Sequence, residues 1–175
     1  MVDKQAISKL NAKLKELYKD AQTGRVLIVC ALLEDILMTT INTKMVPLSS
    51  DIESRIFGGN GPLQNISSRI DIAYSLGFLD GRMRRNLHLV RKIRNGFAHT
   101  SDKVTFDSEK VVTLCKQITP EVASNDPQTL FFDTIMATMS HLLAEAKKTN
   151  EALREKLRLK SLPRNPAPGQ TEKEE

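Results

Sequence analysis

The chain has 175 residues, 40% hydrophobic and 27% charged, which fits one ordinary domain with its own core and argues against a second full domain. Its formal net charge of +5 permits a polyanionic partner without demanding one. The longest apolar run, Val26 to Leu33, is far short of the roughly 20 residues a membrane span needs, so no membrane role is expected.

Aromatic residues make up only 5% of the chain and Trp is absent. Leu, Ala, Lys, Glu and Arg are plentiful and no alternating strand run occurs, so the expected fold is all-α, a bundle of about six to seven helices over residues 1–160. Asp3, Lys4 and Lys9 leave the amino-terminal segment without the apolar core of a signal peptide, which points to the cytosol. Cys30 and Cys115 lie among apolar residues without CxxC spacing and are expected as reduced core thiols. No pattern in the chain calls for a metal or a cofactor.

Ile7, Leu10, Leu14 and Leu17 recur at helical spacing and predict an amphipathic helix over 4–19. A second helix is expected from about Thr23 to Asn42, apolar nearly all round between Val26 and Leu33 and therefore central to the bundle. Glu34 and Asp35 interrupt it, and an acid pair in a buried helix requires a partner. Ser50 and Glu53 have capping-box spacing, predicting a short helix that stops at Gly58. The run from Gly58 to Pro62 reads as a turn, since no Lys-Ser/Thr follows as a phosphate loop requires. Pro62 is expected to open a helix to Leu76 that buries Leu63, Ile66, Ile70, Ala73 and either Tyr74 or Leu76, with Gly77 ending it.

Residues 81–99 form the next helix. Met83, Leu87, Val90, Ile93 and Phe97 share its apolar stripe, and Arg84, His88, Arg91, Asn95 and His99 line the opposite side. Between Gly81 and Ser101 there are six Lys or Arg residues and no acid, which makes a local positive field. The short connection from Leu76 to Asp80 also permits a helix-turn-helix reading in which this helix would enter a DNA groove. Arg94 falls on the edge of the apolar stripe. A guanidinium keeps its charge and is costly to bury unpaired, so Glu34 or Asp35 is expected as its partner.

Beyond a loop over 100–107, Asp107 is expected to cap a helix with Val111, Val112, Leu114, Cys115 and Ile118 that Pro120 terminates. Asp126-Pro127 should start a long helix to about 158 with Phe131, Ile135, Met139, Leu142 and Ala146 as its seam. Leu153 and Leu157 extend that seam enough to leave a homodimer open, and His141 beside it is expected to be structural. The prolines and polar residues of 161–175 predict a disordered tail.

Pro62-Leu63, Ser68-Arg69-Ile70, Ala73-Tyr74, Leu76-Gly77 and Ile93-Arg94-Asn95-Gly96-Phe97-Ala98-His99, with Gly24-Arg25 and Leu32-Leu33-Glu34-Asp35 before them, resemble the pattern of the bacterial mannitol operon repressor family over residues 20–99. The resemblance implies an all-helical bacterial regulator of transcription, with repression running through a protein partner. Arg94 to His99, with Asn95 directly after the Arg, also resembles the Arg-x4-His motif of HEPN domains, some of which are metal-independent ribonucleases or toxins. That likeness implies His99 as proton-transfer group, Arg94 as phosphate stabiliser and Asn95 as the holder of geometry.

The expectation is a noncatalytic regulator that binds a partner through Arg84, Arg85, His88, Arg91 and Lys92. Arg94, Asn95, His99, Glu34 and Asp35 would form a buried polar site beside that face. Ribonuclease action, and direct binding of DNA by the helix over 80–99, remain the alternatives.

Overall fold

The computed structural model describes residues 4–99, 104–120 and 124–161, and their side chains within 11–155. Six helices follow in order: α1 (Lys4–Asn42), α2 (Ser50–Phe57), α3 (Ile66–Ser75), α4 (Gly81–His99), α5 (Glu109–Cys115) and α6 (Pro127–Ser161). The chain is all-helical, as its composition predicts, with no strand among the described residues. None of these helices is long and apolar enough to cross a membrane. The tail expected from 161 onward falls outside the described residues after Ser161, which itself closes α6.

α1 is one helix where two were expected. No proline interrupts Asp20–Gly24, a single glycine costs a helix only about 1 kcal/mol, and Gln22 is buried and bonded to Gln128 of α6. Val26, Cys30, Leu33, Leu37 and Ile41 form the buried stripe of α1, while Ile28 and Leu32 between them face solvent at 65% and 51% exposure. Helical periodicity thus splits a continuous apolar run into an inner and an outer face. The helix at the centre is α4, which packs against α1, α3, α5 and α6.

Local chemistry explains the helix ends. Ser49, one residue before the expected cap, receives Ile52 N–H at 3.4 Å, and Glu53 accepts from Asn42 Nδ2 at 3.1 Å instead of closing a capping box. Pro62 does not open α3. The turn folds back so that Leu63 N–H donates to Ile56 O at 2.9 Å, and Gly61 lies so close that an added Cβ would be 2.4 Å from the Arg55 and Ile56 carbonyls. Asn65 then caps α3 by accepting from Ser68 N–H at 3.0 Å.

Gly77 stops α3 at φ +78°, with Gly77 N–H donating to Tyr74 O and Phe78 N–H to Ala73 O, both at 2.9 Å, the paired bonds of a Schellman stop. Tyr74 is exposed, so Leu76 is the half-buried member of that expected pair. Ser108 rather than Asp107 precedes α5, its hydroxyl accepting Thr105 N–H at 3.0 Å and making no cap bond to the helix, and α5 ends at Cys115 in tight turns before Pro120 is reached. Asp126 caps α6 as expected, accepting from Thr129 N–H at 2.8 Å.

The expected seam of α6 is buried from Phe131 to Ala146. Phe97, Phe106, Phe131 and Phe132 stack at the α4–α6 junction with centroids 5.1–5.9 Å apart. His141 Nε2 lies 3.0 Å from Phe78 O, the structural place expected of it.

Candidate functional site

Asp80 precedes α4 and caps it, its carboxylate accepting Met83 N–H at 2.7 Å. Leu87, Leu89, Val90, Ile93 and Phe97 bury the inner side of the helix. At about 100° per residue, Arg85, His88, Lys92, Asn95 and His99 fall within about 80° of one another on the outer side, with Arg84 and Arg91 at its α3-facing edge.

α3 supplies the carboxylate that organises this edge. Arg84 Nε donates to Asp71 Oδ1 at 2.7 Å and His88 Nε2 lies 3.0 Å from the same oxygen. Hydrogen bonds from Arg84 first, and from His88 second, hold the Asp71 carboxyl below the usual carboxylate range. The Arg84 guanidinium also stacks over Tyr74, 5.4 Å from the ring centre.

Further along the face, Arg85 Nη2 donates to Thr119 Oγ1 at 2.9 Å. Buried Asn86 grips the Thr119 backbone from both ends, donating to its carbonyl at 2.8 Å and accepting its N–H at 3.1 Å. Arg91 is half-buried, with Nε enclosed and without an acceptor among the described residues, whereas Lys92 stands in solvent. The expected partner-binding residues therefore share one side of α4 but differ in their partners: Arg84 and His88 share an acid, and Arg85 donates to a neutral hydroxyl.

Arg94 is turned about 140° away from His99 and lies within electrostatic reach of Cys30 on α1. Burial pushes the Cys30 thiol up to about 12, opposed by the positive charge of Arg94 and reinforced by Glu34. Arg94 Nη1 donates to Asn95 Oδ1 at 3.3 Å, and Nε is enclosed without an acceptor among the described residues. Neither Glu34 nor Asp35 makes the expected ion pair with it among the described residues. Asp35 faces solvent, because α1 is not buried all round.

The sequestered guanidinium is instead that of Arg69, only 8% exposed. Its Nε donates to Leu63 O at 2.7 Å, Nη2 to Phe57 O at 3.1 Å and Nη1 to Glu34 O at 3.4 Å. One side chain thus ties the end of α2, the turn and α1 to α3. Its signal was present in the sequence, since Ile66, Arg69, Ile70 and Ala73 form an i, i+3, i+4, i+7 stripe that includes Arg69. Asp71 and Asn86 carry no comparable signal, because their roles depend on which helix lies opposite.

At the carboxyl end of α4, Lys92, Asn95, Gly96 and His99 line one wall of a cavity of about 470 Å³, and residues 104–114 line the other. Arg94 is absent from this lining, so the expected polar site divides in two: Arg94 turns to the α1 side, and Asn95 and His99 face the cavity. No group of three His, Cys, Asp or Glu side chains able to share a metal ion occurs among the described residues. No family model matches the chain, and no match is found among curated proteins or solved structures.

Proposed function

We propose that the chain is a noncatalytic regulatory protein of the bacterial cytosol that acts by docking an acidic surface of a protein partner on the outer face of α4. The observation that carries this reading is an acid-free helix, held by four others, that turns Arg85, His88 and Lys92 to the same side. A rigid mount lowers the entropy lost on docking, and one-signed charge steers an acidic partner and selects against basic ones. The resemblance to mannitol operon repressors supplies the regulatory context, with control of transcription exerted through the partner.

Binding is favoured over phosphodiester chemistry because Arg94 and His99 point to different sides of α4. A ribonuclease centre built from them requires both to reach one phosphate. Direct DNA reading is disfavoured because α4 packs against α1, α3, α5 and α6 and leaves one face open, whereas a groove-reading helix projects from its domain.

The test is affinity capture from the native cell with the wild type and an Arg85→Glu/Lys92→Glu variant, followed by titration of the purified partner at rising salt. The expected partner is acidic, binds more weakly as salt rises, and loses about tenfold or more in affinity for the variant. Equal affinity for both proteins overturns the surface. Metal-independent RNA cleavage abolished by His99→Ala establishes the ribonuclease reading in its place. Operator-specific retention of DNA that falls when Arg84 and Arg85 become Ala establishes the DNA-binding one.

A further inference from the structure

We infer that the cavity between α4 and the 104–114 segment is a binding site for a small amphipathic anion, a carboxylate or phosphate monoester on a compact apolar body. The cavity of about 470 Å³ lies within the range typical of small-molecule sites, roughly 300 to 1,000 Å³. Its apolar part is formed by Val104, Val111 and Leu114, which suits a short alkyl chain or a single ring. Its basic groups come from both walls, Lys92 and His99 from α4 and Lys110 from α5. No carboxylate occurs among the described lining residues, and Lys92, His99 and Lys110 there attract an anionic head from both walls.

Two further details favour a bound head group. Arg94 donates to Asn95 Oδ1, which assigns the amide and leaves Asn95 Nδ2–H as the donor available to the cavity. Arg94 is in this sense a positioning residue. Gly96 lies in the lining, and a Cβ added there meets nothing within 4 Å, so the glycine keeps space open and is not required by packing. The inference does not rest on the partner reading: Lys92 serves both, but Arg85 lies outside the cavity lining and Lys110 outside the partner face, so Arg85→Glu alone tests the one and Lys110→Gln alone the other.

The experiment is calorimetric titration of the full chain with 4-phenylbutyrate, octanoate and phenyl phosphate, alongside the uncharged analogue 4-phenylbutanol, with amide chemical shifts locating the site. At least one anion is expected to saturate a single site, shifting the amides of Gly96 and Val111, and 4-phenylbutanol to bind about tenfold or more weakly than 4-phenylbutyrate. Lys92→Gln/Lys110→Gln should weaken the anion by a similar factor. Gly96→Leu should abolish binding while the thermal midpoint holds or rises, because Leu is the better helix former. Absence of saturable binding by all three anions overturns the inference. So does binding that survives Gly96→Leu, or equal affinity for the alcohol.

Discussion

Arg69 shows how a charged side chain comes to be buried. A guanidinium offers its donors in a fixed fork, and here three of its nitrogens reach carbonyls on α1, α2 and the turn. Carbonyls without intrahelical partners, such as that of Phe57 at the end of α2, would otherwise be buried unpaired. Arg69→Met is therefore expected to cost about 3 kcal/mol, measured by urea unfolding, and a loss under about 0.5 kcal/mol would rule out this bracing role. Asp71 works at the surface, where nearly half its side chain is exposed. Its folded-state carboxyl is lowered, so its contribution is present above the ordinary Asp range and disappears as pH falls through the folded value. Solvent screening keeps that contribution small. Asp71→Asn should lower the urea midpoint at about pH 7 and converge with wild type once the pH has fallen below the lowered folded-state value. A difference that persists in acid would mean the effect is not electrostatic. Arg94 looked like the buried arginine because it lies at the edge of the apolar stripe of α4. The stripe through Ile66, Arg69, Ile70 and Ala73 held the better signal.

The helices themselves were largely readable, since apolar periodicity is a property of the segment. α4 spans the expected 81–99, and α6 starts at the expected Asp126-Pro127. Where starts moved by a few residues, as at Ser49 and Asn65, a neighbouring polar residue took the capping role. Several candidates stand close together at each boundary, and the path of the incoming chain selects among them. Gly77 was unambiguous. Its positive φ suits glycine, and an added Cβ there would touch nothing, so the cost of replacement is conformational. Gly77→Ala should destabilise by about 1 kcal/mol with α4 intact, as calorimetry together with circular dichroism would show. A neutral substitution would mean the turn relaxes to another conformation.

For the whole molecule, the arrangement of the two long helices matters most. Gln22 meets Gln128, Arg25 lies over Phe132, and Lys44 acts on Glu145, so α1 and α6 run parallel. α1 therefore leads past the start of α6, and its residues 11–18 are exposed on every side. Isolated helix of that length is marginal in water, whereas Val26 to Ile41 is locked into the core. Amide exchange is expected to be about a thousandfold faster over 11–18 than at Cys30, Leu33 and Leu37. Uniform protection along α1 would show that its leading turns are covered in solution. The chain by itself determined the all-helical class, the buried stripes, the acid-free face of α4 and the glycine stop at 77, because each depends on residues within a few turns of one another. Only the tertiary structure decided that α4 packs against four helices, that the Arg69 guanidinium meets carbonyls of α1 and α2, that Asp71 holds Arg84 and His88, and that Arg94 turns to Cys30 of α1 while His99 faces the 104–114 segment. Each of those depends on which groups a distant helix brings opposite, and neither periodicity nor local spacing contains that information.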